Sequence, residues 1–264
     1  AHAFTDRPAG WWKNGSGYGK GEDAVPASLM WDEWLGVADK RPYQDGLYHT
    51  GAWRGCRDFG TGAIGDMGCH IIDTAFYGLG LTAPKSVTAN TVEESTDLKY
   101  PGKTTLTYVF PANSRTDGDM TLTWHEMGDT PDKAAAGIPA DFDLKTNALI
   151  LVGDKGTLWC HMDGEHALFV GGKQQQLPAN NAAPDEYPHI HEWVDACLGF
   201  GECGASFPFA ARLTETVLLG STVASRFPGK TLEWDADNMK VTNHDAANAL
   251  LKRDYREGWK VQGL

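Results

Sequence analysis

Arg57-Asp58-Phe59-Gly60-Thr61-Gly62-Ala63-Ile64-Gly65-Asp66-Met67-Gly68-Cys69-His70-Ile71-Ile72-Asp73-Thr74-Ala75-Phe76-Tyr77-Gly78-Leu79-Gly80 is where this chain of 264 residues keeps its chemistry. Glycines at 60, 62 and 65 open the stretch and glycines at 78 and 80 close it, the punctuation of a helix bounded by loops. At about 3.6 residues per turn, Asp66, His70, Asp73 and Tyr77 fall on one narrow stripe. Cys69, Ile72, Phe76 and Leu79 are expected opposite them, with Met67, Ile71 and Ala75 on the flanks. A helix apolar around most of its circumference is expected to be buried. Its polar stripe must then be paired internally or line a cavity, because unpaired buried carboxylates are costly.

The run Gly60-Thr61-Gly62-Ala63-Ile64-Gly65 fits the dinucleotide pattern G-x-G-x-x-G, but its context fails. Arg54 to Asp58 is charged and forms no apolar strand, and Glu93 lies too far on to reach a ribose. The glycines instead suit a tight helix entry whose N–H groups face an anionic or hydroxyl-rich ligand. Just ahead of them, Arg54, Arg57 and Asp58 offer either surface ion pairs of little weight or an arginine fork for sugar hydroxyls or a carboxylate.

Past the helix the hydrophobic period shortens. Residues 85–93, 103–110 and 119–127 are β-branched and broadly alternating, with turns at Pro101-Gly102 and Asp117-Gly118. Residues 130–144 form a surface excursion. Strands at 148–152, 156–161 and 166–170 follow, joined by turns at 153–155 and 163–164. Strands in succession without helices between them imply an antiparallel sheet with one free face, a natural surface for a second copy.

Helices are expected at 26–36, 190–198, 209–227 and 245–252, with a short strand at 230–234. The fold class is therefore α+β, an open, mainly antiparallel sheet with helices on one face. The whole of 1–264 reads as one domain: a lead-in over 1–50 with Gly15, Gly17, Gly19 and Gly21 in a flexible loop, the helix of 57–80, the sheet of 85–177, and helices with a tail over 186–264. Aromatics between Tyr43 and Trp53 suit either sugar stacking or core packing, and packing is the expectation. His189-Ile190-His191 pairs two imidazoles, but no third metal ligand stands near. Tyr187 and His189, on a loop, suit substrate contact. His125, Glu126 and His161 end strands and face either a shared cavity or solvent.

Composition narrows the partners. A net charge of −12 argues against nucleic acid and anionic membranes, and no apolar run reaches the roughly 20 residues of a membrane span. Five cysteines without a repeating spacing do not form a disulfide framework.

The phrase from Trp53-Arg54-Gly55-Cys56 through Gly65-Asp66-Met67-Gly68-Cys69-His70-Ile71-Ile72-Asp73 resembles the central motif of the Gfo/Idh/MocA oxidoreductases, in their C-terminal, substrate-binding domain. The resemblance runs nearly the whole chain. It implies that Asp66 and His70 are the D-x-x-x-H pair that handles a substrate hydroxyl. A neutral imidazole accepts the proton as hydride leaves the carbinol carbon, and the aspartate one turn away fixes its tautomer. Arg54, Arg57, Asp73, Tyr77, Tyr187 and His189 then contact a sugar or polyol.

The family also uses a lysine from a Glu-Lys-Pro motif and NAD or NADP, both belonging to a nucleotide-binding domain. Neither that motif nor a credible nucleotide fingerprint occurs here, so no cofactor is expected in this chain. Ala1 to Pro8 resembles the end of the strand that leaves that domain. The first reading is thus the substrate half of a sugar or polyol oxidoreductase, associating through its sheet. The alternative is a stand-alone, cofactor-free carbohydrate-active domain: lyase or hydrolase chemistry through His70 and Asp66, or carbohydrate binding.

Overall fold

The computed structural model describes residues 1–8, 21–48, 51–177 and 188–263. The glycine-rich loop through Gly15, Gly17 and Gly19, and Tyr187, lie outside them.

In chain order the elements begin with β1 (His2–Phe4), α1 (Trp31–Leu35), α2 (Gly62–Ile71) and α3 (Asp73–Leu79). The strands β2 (Ser86–Glu93), β3 (Lys103–Phe110), β4 (Met120–His125), β5 (Ala148–Val152), β6 (Thr157–His161), β7 (His166–Val170) and β8 (Lys173–Gln175) follow. After them come α4 (Pro188–Leu198), α5 (Phe207–Leu218), β9 (Thr231–Asp235), β10 (Lys240–Val241) and α6 (Asp245–Asn248). The strands form one sheet of ten in the order β10-β9-β2-β3-β4-β1-β5-β6-β7-β8. Every pairing is antiparallel except β1 with β4. The α+β, mainly antiparallel architecture is as expected.

Strand β3 shows why the sheet forms. Thr104, Leu106, Tyr108 and Phe110 are buried while Lys103, Thr105, Thr107 and Val109 are half-exposed, the period of a pleated surface covered on one side. The buried set joins Ile64, Met67, Ile71, Ile72 and Phe76 of α2–α3 and Leu213 and Val217 of α5 in the main core. Helix α5 continues through a π-helical turn, Leu219–Val223, and a short 3-10 turn, Ala224–Arg226. At the π turn Gly220 backs onto Tyr108: a Cβ there would stand 1.8 Å from the phenol oxygen and 2.6 Å from Leu106 Cδ1.

Three features depart from the sequence reading. First, His2–Phe4 is an interior strand that welds β4 to β5, with Ala3 and Phe4 fully buried. Second, the excursion of 130–144 folds back over the outer face of β5–β7. Ala136 and Ile138 bury against Phe4, Ile150, Trp159 and Phe169, so that face is free only over the other half of the sheet. The reason lies in register, since Phe4, Ile150, Trp159 and Phe169 all project to the side away from α2. Third, α4 offers solvent its apolar side, with Ile190, Trp193, Val194 and Leu198 all exposed.

The aromatics of the lead-in settle into packing. Trp31 and Trp34 stack at 4.9 Å, and Tyr48 lies between them and Phe59, wholly buried. Arg256 from the tail ties this cluster down, donating to Gly36 O at 2.6 Å and to Asp32 Oδ1 at 2.7 Å.

Candidate active site

The entry to α2 is set by close approach. A Cβ on Gly60 would stand 2.4 Å from the carbonyl oxygen of Arg54, backbone against backbone, so the chain turns here only as glycine. The turn is held by Gly60 N–H donating to Cys56 O at 2.8 Å. The helix N-terminus does not wait for a ligand. Glu126, 2 % exposed just past β4, accepts from Trp124 Nε1 at 2.9 Å and lines a small cavity together with Gly62, Ala63, Ile64 and Thr104. Burial pushes its carboxyl up to about 8 against that donor. An internal carboxyl thus stands beside the N-terminus that the glycines suggested for a ligand.

Helix α2 has a buried side and an open side. Ile64, Met67, Gly68, Ile71 and Ile72 are buried, while Cys69 and His70 are exposed and Asp66 and Asp73 half-buried. The expectation of burial all round is corrected. The apolar positions cover one side only, against α5 and the sheet, and Cys69 belongs with the polar strip. The interruption at Ile72 is slight: its N–H still reaches Gly68 O at 2.8 Å. Tyr77, 70 % exposed, ends the strip with its ring edge-on to Phe209 at 6.2 Å.

Along this strip the charges are specifically placed. Asp66 Oδ1 accepts from Arg54 Nε at 2.9 Å, and Oδ2 stands 3.7 Å from Arg7 Nη1. The Arg54 guanidinium in turn lies 4.7 Å over the Trp53 ring. Asp66 is therefore fixed by two arginines rather than turned to His70. The carboxylate that His70 does influence is Asp73. Burial raises the Asp73 carboxyl and the neighbouring imidazole draws it down. Arg7 was not singled out from the sequence; it stands three residues past β1 and directly before Pro8, and nothing local marks it as a partner of Asp66.

The other candidates disperse. Arg57 faces the loop before β3, donating to Thr96 O at 2.9 Å, Lys99 O at 3.1 Å and Ser95 Oγ at 2.8 Å. It lies 4.5 Å over the Tyr100 ring, and burial lowers it to about 10. It holds a loop and does not join the strip. Asp58 pairs with Arg41. His189 is exposed in the first turn of α4 and makes no hydrogen bond or ring contact among the described residues. His189 and His191, two apart on a helix, point about 200° apart, and no group of three or more metal-ligating side chains occurs among the described residues. His125 sits beside His2 on the outer face, ring nitrogens 3.4 Å apart, and His161 beside Trp159. Neither His125 nor His161 lines the small cavity beside Glu126. All five cysteines are free.

Residues 10–131, which hold the glycine turn and the whole strip, match the family described as "Oxidoreductase family, C-terminal alpha/beta domain". Over these residues, a little under half of its length, the chain is similar to the Gfo/Idh/MocA oxidoreductases. The family is NAD(P)-dependent. No protein of curated function matches the chain. Among solved structures, it is similar to an aldose-aldose oxidoreductase from Caulobacter crescentus complexed with glycerol, at 17% identity and a TM-score of 0.46, over 69% of this chain and 50% of that one. An NAD-binding protein from Listeria innocua gives 17% identity and a TM-score of 0.44, over 70% and 51%. An oxidoreductase from Agrobacterium radiobacter in complex with NAD+, L-tartaric acid and magnesium gives 14% and 0.38, over 65% and 48%. The chain spans about half the length of each of these structures. No helix among the described residues is long and apolar enough to cross a membrane.

Proposed function

We propose that this chain is the substrate-handling half of a sugar or polyol oxidoreductase, with His70 as the group that takes the proton from the hydroxyl being oxidised. The observation that carries the reading is the open strip of α2. A solvent-facing imidazole there has a half-buried carboxylate at Asp73 and an aspartate, Asp66, locked by Arg54 and Arg7. His70 Nε2 or Nδ1 accepts the hydroxyl proton, an exchange an imidazole performs near neutral pH. Asp73, whose carboxyl senses that imidazole, steadies the imidazolium that results. Asp66, Arg54 and Trp53 form the wall against which hydroxyls are oriented, with Arg54 able to donate from the side of its fork not given to Asp66.

The dinucleotide is assigned no site in this chain, since only a small cavity shared with the buried Glu126 lies at the α2 N-terminus. NAD or NADP belongs to residues beyond these. A second copy packs on the free half of the outer sheet face, where Thr88, Thr107, Thr123 and Thr231 are exposed or half-exposed.

The test is a histidine NMR titration of the protein with glycerol, D-glucose and myo-inositol. The His70 ring protons should shift saturably with at least one of them, and those of His244, beside Lys230, should not follow. A His70 signal indifferent to the whole panel would remove the reading.

A further inference from the structure

On the sheet face away from α2, a cleft of about 370 Å3 opens between the turn joining β6 to β7 and the end of the folded-back excursion. Phe142 and Trp159 form its apolar wall, rings edge-on at 5.3 Å. Trp159 is 3% exposed, yet its indole Nε1–H has no acceptor among the described residues. A buried donor without a partner is rare and costly in a finished fold. Here it belongs to a side chain that lines an open cleft; the nitrogen is covered in the empty cleft, and an oxygen atom becomes the acceptor it lacks once the exposed rim side chains Glu165, His166 and Gln174 shift to admit it.

The rim fixes what brings that oxygen. Lys145 Nζ donates to both Glu165 oxygens at 2.7 Å, so this pair offers a polar edge with no net charge. His166 Nδ1 bonds to Gly164 O at 2.9 Å, which requires the proton on Nδ1 and leaves Nε2 as an acceptor. Gln174 adds an amide with both functions. Donors and acceptors alternating around an apolar wall suit hydroxyl groups, each of which gives and takes one bond. Asp143 adds a carboxylate at the rim, which accepts from a hydroxyl and disfavours an anion. The volume lies within the usual range for small-molecule sites, about 300–1,000 Å3.

We propose that this cleft is a second small-molecule site, separate from the α2 strip, for an uncharged polyhydroxylated molecule of about one sugar ring. One of its oxygens accepts from Trp159 Nε1. This site is independent of the chemistry assigned to His70.

The test is two-dimensional NMR of the 15N-labelled protein, in which each of the ten tryptophans gives one indole N–H signal. Trp159→Phe identifies the signal, and D-glucose and glycerol are the probes. If Trp159→Phe does not fold, contacts between the indole proton and the Phe142 ring protons make the assignment. The Trp159 signal should move saturably with sugar, equally in the parent and in His70→Ala. Glu165→Gln should weaken binding about fivefold, the loss of one hydrogen bond. Three results would overturn the proposal. The signal ignores both probes; its shift disappears in His70→Ala, which places the sugar on α2; or it follows protein concentration instead of sugar, which makes the cleft a contact between copies.

Discussion

Glu126 gives the sharpest energetic prediction, because burial and hydrogen bonding act on it in opposite directions. Its carboxyl moves from an ordinary 4.5 up to about 8, with burial the largest cause. A carboxyl raised in this way binds its proton more tightly in the folded than in the unfolded state. Its contribution to stability is therefore intact below about pH 4.5, falls as pH rises toward 8, and is flat above that. Each pH unit inside the window costs up to ~1.4 kcal/mol. Between pH 5 and pH 8 the parent should thus lose roughly 3 kcal/mol that Glu126→Gln, which cannot ionise, retains. Urea unfolding of both proteins at the two pH values measures this directly, and the difference cancels every other titrating group. The glutamine variant starts at a disadvantage, since it must bury an amide N–H2 where the parent has a carboxyl, but that cost does not vary with pH. A difference independent of pH would refute the reasoning. So would one running the other way, which would mean that the donors around the carboxyl outweigh burial and hold it ionised.

Three further outcomes are expected. Arg54→Ala, which leaves Asp66 to Arg7 alone at 3.7 Å, should cost about 1–2 kcal/mol in urea unfolding and weaken polyol binding more than stability. Gly220→Ala drives a methyl into Tyr108 and Leu106 and should destabilise by about 2–3 kcal/mol in thermal or urea unfolding; an unchanged midpoint would show that the π turn shifts freely. NADH added to this chain should give no saturable fluorescence change, and a micromolar dissociation constant would contradict the assignment of the dinucleotide to residues outside it.

Much of the sheet was legible from local pattern. Lys103-Thr-Thr-Leu-Thr-Tyr-Val-Phe110 alternates as a half-covered strand must, and the structure pairs it accordingly. The existence of α2 was equally plain from its glycine brackets. Its exposure was misjudged, because counting apolar residues around a helix ignores that glycine and cysteine positions need not face a neighbour. Gly65 and Cys69 lie toward the open side. The resemblance marked Ala1–Pro8 as the end of a strand, but its place inside this sheet escaped, because three residues carry no period and its position between β4 and β5 is decided by partners more than 100 residues away. The same holds for Glu126. The sequence offers only a polar residue after a strand, and its burial depends on where the N-terminus of α2 arrives. Arg54 and Arg57 look alike on the page, three residues apart. The 3-10 turn Ala52–Gly55 sends the first to Asp66, while the bridge from Cys56 to Lys99 turns the second toward the Thr96 loop.

The central claim is that the polar strip of α2 is an open working surface centred on His70. It is tested most directly by setting unfolding curves of the parent and His70→Ala beside polyol titrations of both. Because His70 is exposed, its removal should change stability by no more than ~0.5 kcal/mol while polyol binding is lost. A variant that unfolds 2 kcal/mol or more below the parent, a cost on the order of breaking a buried network, would contradict the account, as would one that binds the polyol undiminished.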